Sequence, residues 1–228
     1  IGRKFWGKGY NKAIKKLMMG YAFQYVDTIY FHIGAFNIRS QKAMEKIDSM
    51  IESVRSQAEI LKDPRKNKVL VIHRRAGKTS LVLNKLIMEA IMNAGKTYYY
   101  ICPTQKQAKE IAWKAPDMLN KYLPVIAVEK KNEVELTIYF KNKSQIHVKG
   151  ADAPDSLRGV NPHGVAIDEY AQVKPELYDE VIKPILIANG GWAWLIGTPK
   201  GRNDFWNKYH MAKANPIDWQ VAHITATE

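Results

Sequence analysis

An apolar, β-branched run, Lys68-Val69-Leu70-Val71-Ile72, stops abruptly in the loop His73-Arg74-Arg75-Ala76-Gly77-Lys78-Thr79-Ser80, and an amphipathic helix follows at once. No other stretch constrains the fold as much. A buried strand that feeds a helix N-terminus through a short loop belongs to chains that alternate β and α around a parallel sheet. The same arrangement makes an anion cradle. Loop amides and the positive helix end face phosphates, Lys78 reaches the β and γ groups of a triphosphate, and the Thr79 hydroxyl holds Mg²⁺. The usual pattern asks for glycine where this chain has Ile72. The competing reading of Gly77-Lys78-Thr79 is an ordinary helix start, and the remaining residues decide between the two.

At 228 residues the chain can form one large α/β domain or a core with a small appendage. Its 46% hydrophobic content suffices for a core, and 25% charged residues is ordinary for a soluble protein. The charge balance is less ordinary: 35 basic against 22 acidic side chains give +13, which suits a polyanion, either nucleic acid or an anionic membrane. Residues 181–197 form the longest apolar stretch. Lys183, Pro184 and the pair Gly190-Gly191 break it, which argues against a membrane span. The single cysteine, Cys102, excludes an internal disulfide, suggests no metal cluster and favours a reducing, intracellular setting. The chain starts at Ile1 without an initiator Met, and aromatics and glycines interrupt its basic start, so no signal-peptide pattern is present.

Residues 1–66 carry 13 basic and 6 acidic side chains, so more than half of the excess charge lies at the front. Arg3, Lys4, Lys8, Lys12, Lys15 and Lys16 precede any acid and interleave with Phe5, Trp6 and Tyr10. Cations among aromatics grip nucleic acid by phosphate contact and stacking; the alternative is a solvated basic helix with its aromatics turned inward. From Ser40 to Leu61 apolar residues recur at helical spacing, and Asp63-Pro64 ends that helix. The expected organisation is a helical basic appendage over residues 1–54 and a core over 55–228. In the core the sequence predicts a helix over 81–93, a buried strand over 97–102, and a helix over 105–122 that Pro116 kinks or divides. A hairpin of strands 134–140 and 145–148 follows, then a strand over 164–167, a helix over 178–188 interrupted by Pro184, a strand over 192–196, a helix over 205–214 and a strand over 219–224.

The strand Gly164-Val165-Ala166-Ile167 ends in Asp168-Glu169. Adjacent acids at the carboxyl end of a core strand are costly unless a cation or a catalytic task occupies them. Beside a phosphate loop, Asp168 would support Mg²⁺ through its water shell and Glu169 would accept the proton of an attacking water. The alternative for Asp168 is a helix cap. Thr198 leaves the strand over 192–196, where its hydroxyl can sense a γ-phosphate; otherwise it is a plain turn residue. The loop 72–79, Pro103-Thr104, Asp168-Glu169 and Gly197-Thr198 all follow strands and converge on one sheet edge, where ligands of open α/β sheets bind. ATP hydrolysis is the expected chemistry: the chain has no Asn-Lys-x-Asp guanine-reading motif, and a glutamate beside the metal aspartate is typical of motors.

These motifs together resemble the viral large terminases, the motors that pump DNA into procapsids. The loop 72–79 is similar to that family's divergent Walker A motif, Val165 to Glu169 to its Walker B, and Gly197-Thr198-Pro199 to its coupling motif. Ile101-Cys102-Pro103-Thr104 with Gln107-Ala108, and Asp155-Ser156-Leu157-Arg158-Gly159, resemble further family segments, so that residues 55–224 are covered. The resemblance implies a RecA-like phosphate-loop NTPase core of the class with a catalytic glutamate, its mainly parallel sheet flanked by helices. It implies that residues 74–80 (Arg74, Arg75, Ala76, Gly77, Lys78, Thr79 and Ser80) cradle the nucleotide. Arg74 touches the γ-phosphate within the subunit, Thr79 and Asp168 serve Mg²⁺, and Glu169 is the general base. Thr198 couples hydrolysis to movement, Arg158 reaches a neighbouring subunit's ATP, and Gln57 lies roughly where adenine is read. Implied partners are double-stranded DNA, a homo-oligomeric ring on the procapsid portal and a small terminase subunit, in the cytoplasm of an infected cell and with no membrane. A metal-dependent nuclease is expected beyond residue 228, so that this chain would hydrolyse ATP without cutting DNA. The other readings are a helicase-like ATPase and a DNA-binding or assembly module that keeps ATP without turnover.

Overall fold

The computed structural model describes residues 59–73, 77–115, 118–152, 157 and 161–224, all in the larger of two units into which the chain divides, Ser53–Glu228. The expected 1–54 appendage, Gln57, Arg74, Arg75, Ala76 and Arg158 lie outside the described residues.

Eight strands form one sheet in the order β3-β4-β5-β2-β6-β7-β1-β8. They are β1 (Asn67–Ile72), β2 (Thr97–Cys102), β3 (Val128–Asn132), β4 (Thr137–Phe140), β5 (Gln145–Gly150), β6 (Gly164–Ile167), β7 (Trp192–Gly197) and β8 (Trp219–Ile224). The pairings from β5 through β8 are parallel, and β3-β4-β5 add two antiparallel pairings at one edge. The helices are α1 (Lys78–Met92), α2 (Gln105–Ala108), α3 (Leu119–Tyr122), α4 (Lys183–Asn189) and α5 (Asp204–Ala214).

Successive side chains of a strand point to opposite faces, and here both faces are apolar. Leu70, Ile72, Tyr98, Tyr100, Cys102, Ala166, Trp194 and Ile196 share one core with Leu83, Leu86 and Ile87 of α1. Val69, Val71, Tyr99, Ile101, Val165, Ile167 and Leu195 share the other with Leu186 of α4 and Phe205 of α5. The sheet is therefore the middle of three layers, which explains why its strands read as continuous apolar runs. Within the sheet, Gly164 of β6 leaves room for its paired neighbour on β7, because a Cβ there would overlap the indole of Trp192.

Apart from β3, which the sequence reading does not anticipate, strand positions follow it closely, and three further details depart from it. The helix expected over 105–122 is split: α2 runs into a π-helical stretch, Lys109–Lys114, and α3 restarts after Pro116. The strand expected from Val134 begins at Thr137, because Leu136 takes a left-handed φ of 52° in the turn between β3 and β4. The region over 178–188 starts as a π-helical stretch, Leu177–Ile182, that runs directly into α4, and Pro184 sits in the first turn of α4. Among the described residues no helix is long and apolar enough to cross a membrane.

On β5, His147 stacks on Tyr99 with ring centroids 4.8 Å apart, and its Nδ1 lies 2.9 Å from the Thr137 hydroxyl. Burial first, and the Lys149 charge second, push the imidazole down to about 4. The folded state thus resists a proton that the unfolded chain accepts near pH 6.5. Stability is complete above that pH and falls as the pH drops from about 6.5 towards 4, by on the order of 3 kcal/mol. Thermal unfolding across this range should give the slope, and His147→Gln should flatten it.

Candidate functional site

Four chain segments deliver polar groups to the carboxyl edge of the sheet, around the end of β1. Here the connectivity reverses: α1 leads away to β2 on one side, while α5 leads to β8 on the other. Such switch points open a crevice in α/β sheets. Gly77, at φ 75° and ψ 20°, turns the loop into α1 in a left-handed conformation that suits a residue without Cβ. No side chain caps the start of α1 and its first turn holds no acid, which leaves the helix end suited to an anion.

Lys78 opens α1, and its ammonium pairs with the Glu169 carboxylate and lies 3.4 Å from the Thr198 hydroxyl. Thr198 in turn is 3.5 Å from the Ile72 carbonyl at the end of β1. Thr79 donates to Asp168 Oδ2 at 2.9 Å, and the Glu169 amide donates to Asp168 Oδ1 at 2.9 Å. Lys78, Thr79, Asp168, Glu169 and Thr198 thus form one hydrogen-bonded group, as the convergence of strand ends requires. Asp168 is only 2% exposed. Burial raises the pKa of its carboxyl, and the Lys78 charge and the Tyr100 and Thr79 hydroxyls act in the opposite direction. The hydroxyl and carboxylate oxygens of Thr79 and Asp168 are the hard donors that Mg²⁺ takes beside substrate phosphates, so the residues present fit that ion.

Glu169 stands at φ 51°, ψ 41°, a left-handed conformation that costs a residue with a Cβ on the order of 1 kcal/mol. It swings the side chain out of the strand's alternation and towards Lys78, and strain of this kind gathers at functional sites. The helix-cap alternative for Asp168 does not describe its side chain, whose Oδ2 takes two hydroxyls from other elements. Two residues expected near the nucleotide are engaged locally. The Thr104 hydroxyl accepts from the Gln107 amide at 3.2 Å and caps α2, and the Ser80 hydroxyl lies 3.9 Å from the Met118 sulfur.

Tyr100 was not singled out in the sequence. Its hydroxyl donates to Asp168 Oδ2 at 2.8 Å and lies 3.4 Å from the Cys102 sulfur, and the ring is fully buried. Burial pushes the Cys102 thiol up to about 12, so the sulfur remains a neutral, weak donor. A signal did exist: positions 98, 100 and 102 share the α1 face of β2, and a tyrosine whose partner lies two residues before a strand-end aspartate, on the same face, can reach it.

An additional strand, β7, separates the phosphate-loop strand β1 from β6, whose end carries the acids, and Thr198 directly follows it. With a glutamate beside the aspartate, this order is that of phosphate-loop NTPases of the additional-strand class. Residues 69–227 match the family described as terminase large subunit, T4-like-virus type, N-terminal, and the chain belongs to that family. It is 28% identical over 171 residues to the large terminase subunit of Thermus phage G20c, and 26% identical over 171 residues to that of Thermus virus P23-45. Each alignment covers 68% of this chain and 35% of the relative, so the chain spans about a third of the length of these proteins. The large terminase ATPase domain of Thermus phage P74-26 superposes with a TM-score of 0.63 at 26% identity, over 74% of this chain and 79% of that one.

Proposed function

We propose that this chain binds ATP with Mg²⁺ at the loop between β1 and α1, hydrolyses it, and couples hydrolysis to the movement of double-stranded DNA into a procapsid. The observation that carries the reading is the meeting of Lys78, Thr79, Asp168, Glu169 and Thr198, drawn from three chain segments, within one hydrogen-bonded group. Thr79 and Asp168 would hold the ion, which would neutralise charge on the β- and γ-phosphates. The ammonium of Lys78 has two competing partners, the Glu169 carboxylate and an incoming phosphate. When the phosphate takes Lys78, Glu169 is released as an anion beside the loop, free to accept a proton from the attacking water. Thr198 lies against Lys78 and the end of β1, where it registers that exchange and can pass it to the strand behind it.

Arg74, Arg75 and Ala76 complete the loop in this reading, with Arg74 on the γ-phosphate. Gln57 reads the base, and Arg158 reaches the ATP of the next subunit in a homo-oligomeric ring. The ring would assemble on the procapsid portal in the infected cell, with a small terminase subunit as a further partner. For DNA, basic side chains are present among the described residues as well as in the sequence at the front of the chain. A cavity of about 420 Å³ at the amino ends of β1, β2, β6 and β7 gathers Lys62, Lys66, Lys85 and Lys96.

Glu169→Gln removes the base but keeps the side chain's size. ATP turnover should fall by about 10²–10⁴-fold while Mg·ATP binding persists; unaltered turnover would remove Glu169 from this role and favour a module that keeps ATP without using it. Mixing Arg158→Ala subunits with Lys78→Ala subunits should restore part of the turnover that each lacks alone, and no recovery at any ratio contradicts an arginine acting across subunits. Double-stranded DNA binding should weaken linearly in log–log plots against salt. Lys62→Ala with Lys96→Ala should lower that slope by about 2, and an unchanged slope would move the contact elsewhere, first to residues 1–20.

A further inference from the structure

Asp168 is a carboxylate with almost no access to water, and the way its charge is held determines what the phosphate site can do. Its Oδ1 accepts the Glu169 amide, and its Oδ2 accepts the hydroxyls of Thr79 at 2.9 Å and Tyr100 at 2.8 Å. These donors differ in kind. Thr79 begins α1 at the site itself, and in the function proposed above its hydroxyl turns to the metal. Tyr100 approaches from behind, out of the core between the sheet and α1, with its ring fully buried and the Cys102 thiol at its back.

We propose that Tyr100 is the positioning residue of the metal-supporting carboxylate: its hydroxyl holds Asp168 Oδ2 when the Thr79 hydroxyl leaves it. The register of the sheet makes this possible. Tyr100 pairs with Ala166 and Ile101 with Ile167 across the parallel ladder, and alternation puts residues 100, 166 and 168 on the α1 face. The tyrosine ring has the length to span the last step to the carboxylate, and its position is fixed by packing, because no part of it reaches solvent. A buried anion that lost one of three donors on metal binding would either rotate towards the remaining donors or take up a proton. With Tyr100 retained, Oδ2 keeps a hydrogen bond aimed from the core, and the carboxylate presents the same edge to the ion before and after nucleotide binding. Groups behind metal ligands commonly change metal affinity by about 10–100-fold when removed.

This inference rests on Asp168 serving the metal, and the experiment separates the two. Tyr100→Phe deletes one oxygen and keeps the ring in the core. ADP affinity is measured by calorimetry on the full chain, once with Mg²⁺ and once with a chelator, and the ratio of the two affinities isolates the metal's share. In Tyr100→Phe that ratio should fall by about 10–100-fold, with chelator-only ADP affinity unchanged. Tyr98→Phe, which removes a hydroxyl from the same face of β2 at a distance from Asp168, should leave the ratio as in the wild type. A ratio that survives in Tyr100→Phe overturns the positioning role while the function proposed above stands, and so does an equal fall in Tyr98→Phe, which would mark general softening of the strand. A wild-type chain whose ADP affinity ignores Mg²⁺ overturns both. If Tyr100→Phe does not fold, 3-fluorotyrosine at position 100 keeps the ring and makes its hydroxyl a stronger donor to Asp168: a raised ratio supports the role, and an unchanged one overturns it.

Discussion

The energetic centre of this molecule is a negative charge in a place where charge is expensive. Asp168 stands at the carboxyl end of a strand covered on both faces, and it survives there because an amide and two hydroxyls converge on its oxygens. Each donor comes from a different part of the chain: the residue after it, the first turn of α1, and the middle of β2. Much of the architecture can be understood as the means of bringing them together. Parallel pairing of β2 with β6 sets Tyr100 beside Ala166, two residues before the aspartate, and the turn at Gly77 aims α1 so that Thr79 meets it from the front.

The two apolar layers have a corresponding task. Helices on both faces pack closely against the strands and exclude water from the carboxylate's flank. Gly164 marks a close contact within the sheet, since β6 can approach β7 beneath the Trp192 indole only where no Cβ intervenes. The insertion of β7 between β1 and β6 also separates the loop from the acids by one strand, and it leaves Thr198 between them, next to Lys78.

What could be seen in the sequence was what is encoded locally. Buried strands announce themselves by apolar runs with abrupt polar ends, which is why β1, β2, β6, β7 and β8 and the residues at their tips were legible: Lys78, Thr79, Asp168, Glu169 and Thr198. What escaped depends on distant pairing or on exposure. Tyr100 reads as one more aromatic in Tyr98-Tyr99-Tyr100, and only the register of β2 against β6 turns it into a partner of Asp168. Strand β3, Val-Glu-Lys-Lys-Asn, is a polar and mostly exposed edge with no hydrophobic alternation to betray it. The division of the helix over 105–122 was half-visible in Pro116, whereas the π-helical stretch over Lys109–Lys114 leaves no compositional trace.

The ion pair between Lys78 and Glu169 has a consequence for timing. A lysine that pairs with a carboxylate of its own chain can bind a phosphate only by giving up that partner, so the two contacts exclude each other. In the function proposed above, the glutamate would reclaim the ammonium as a spent phosphate departs. The pair would then act as a return spring, and only a ligand that displaces a carboxylate from Lys78 would release the base.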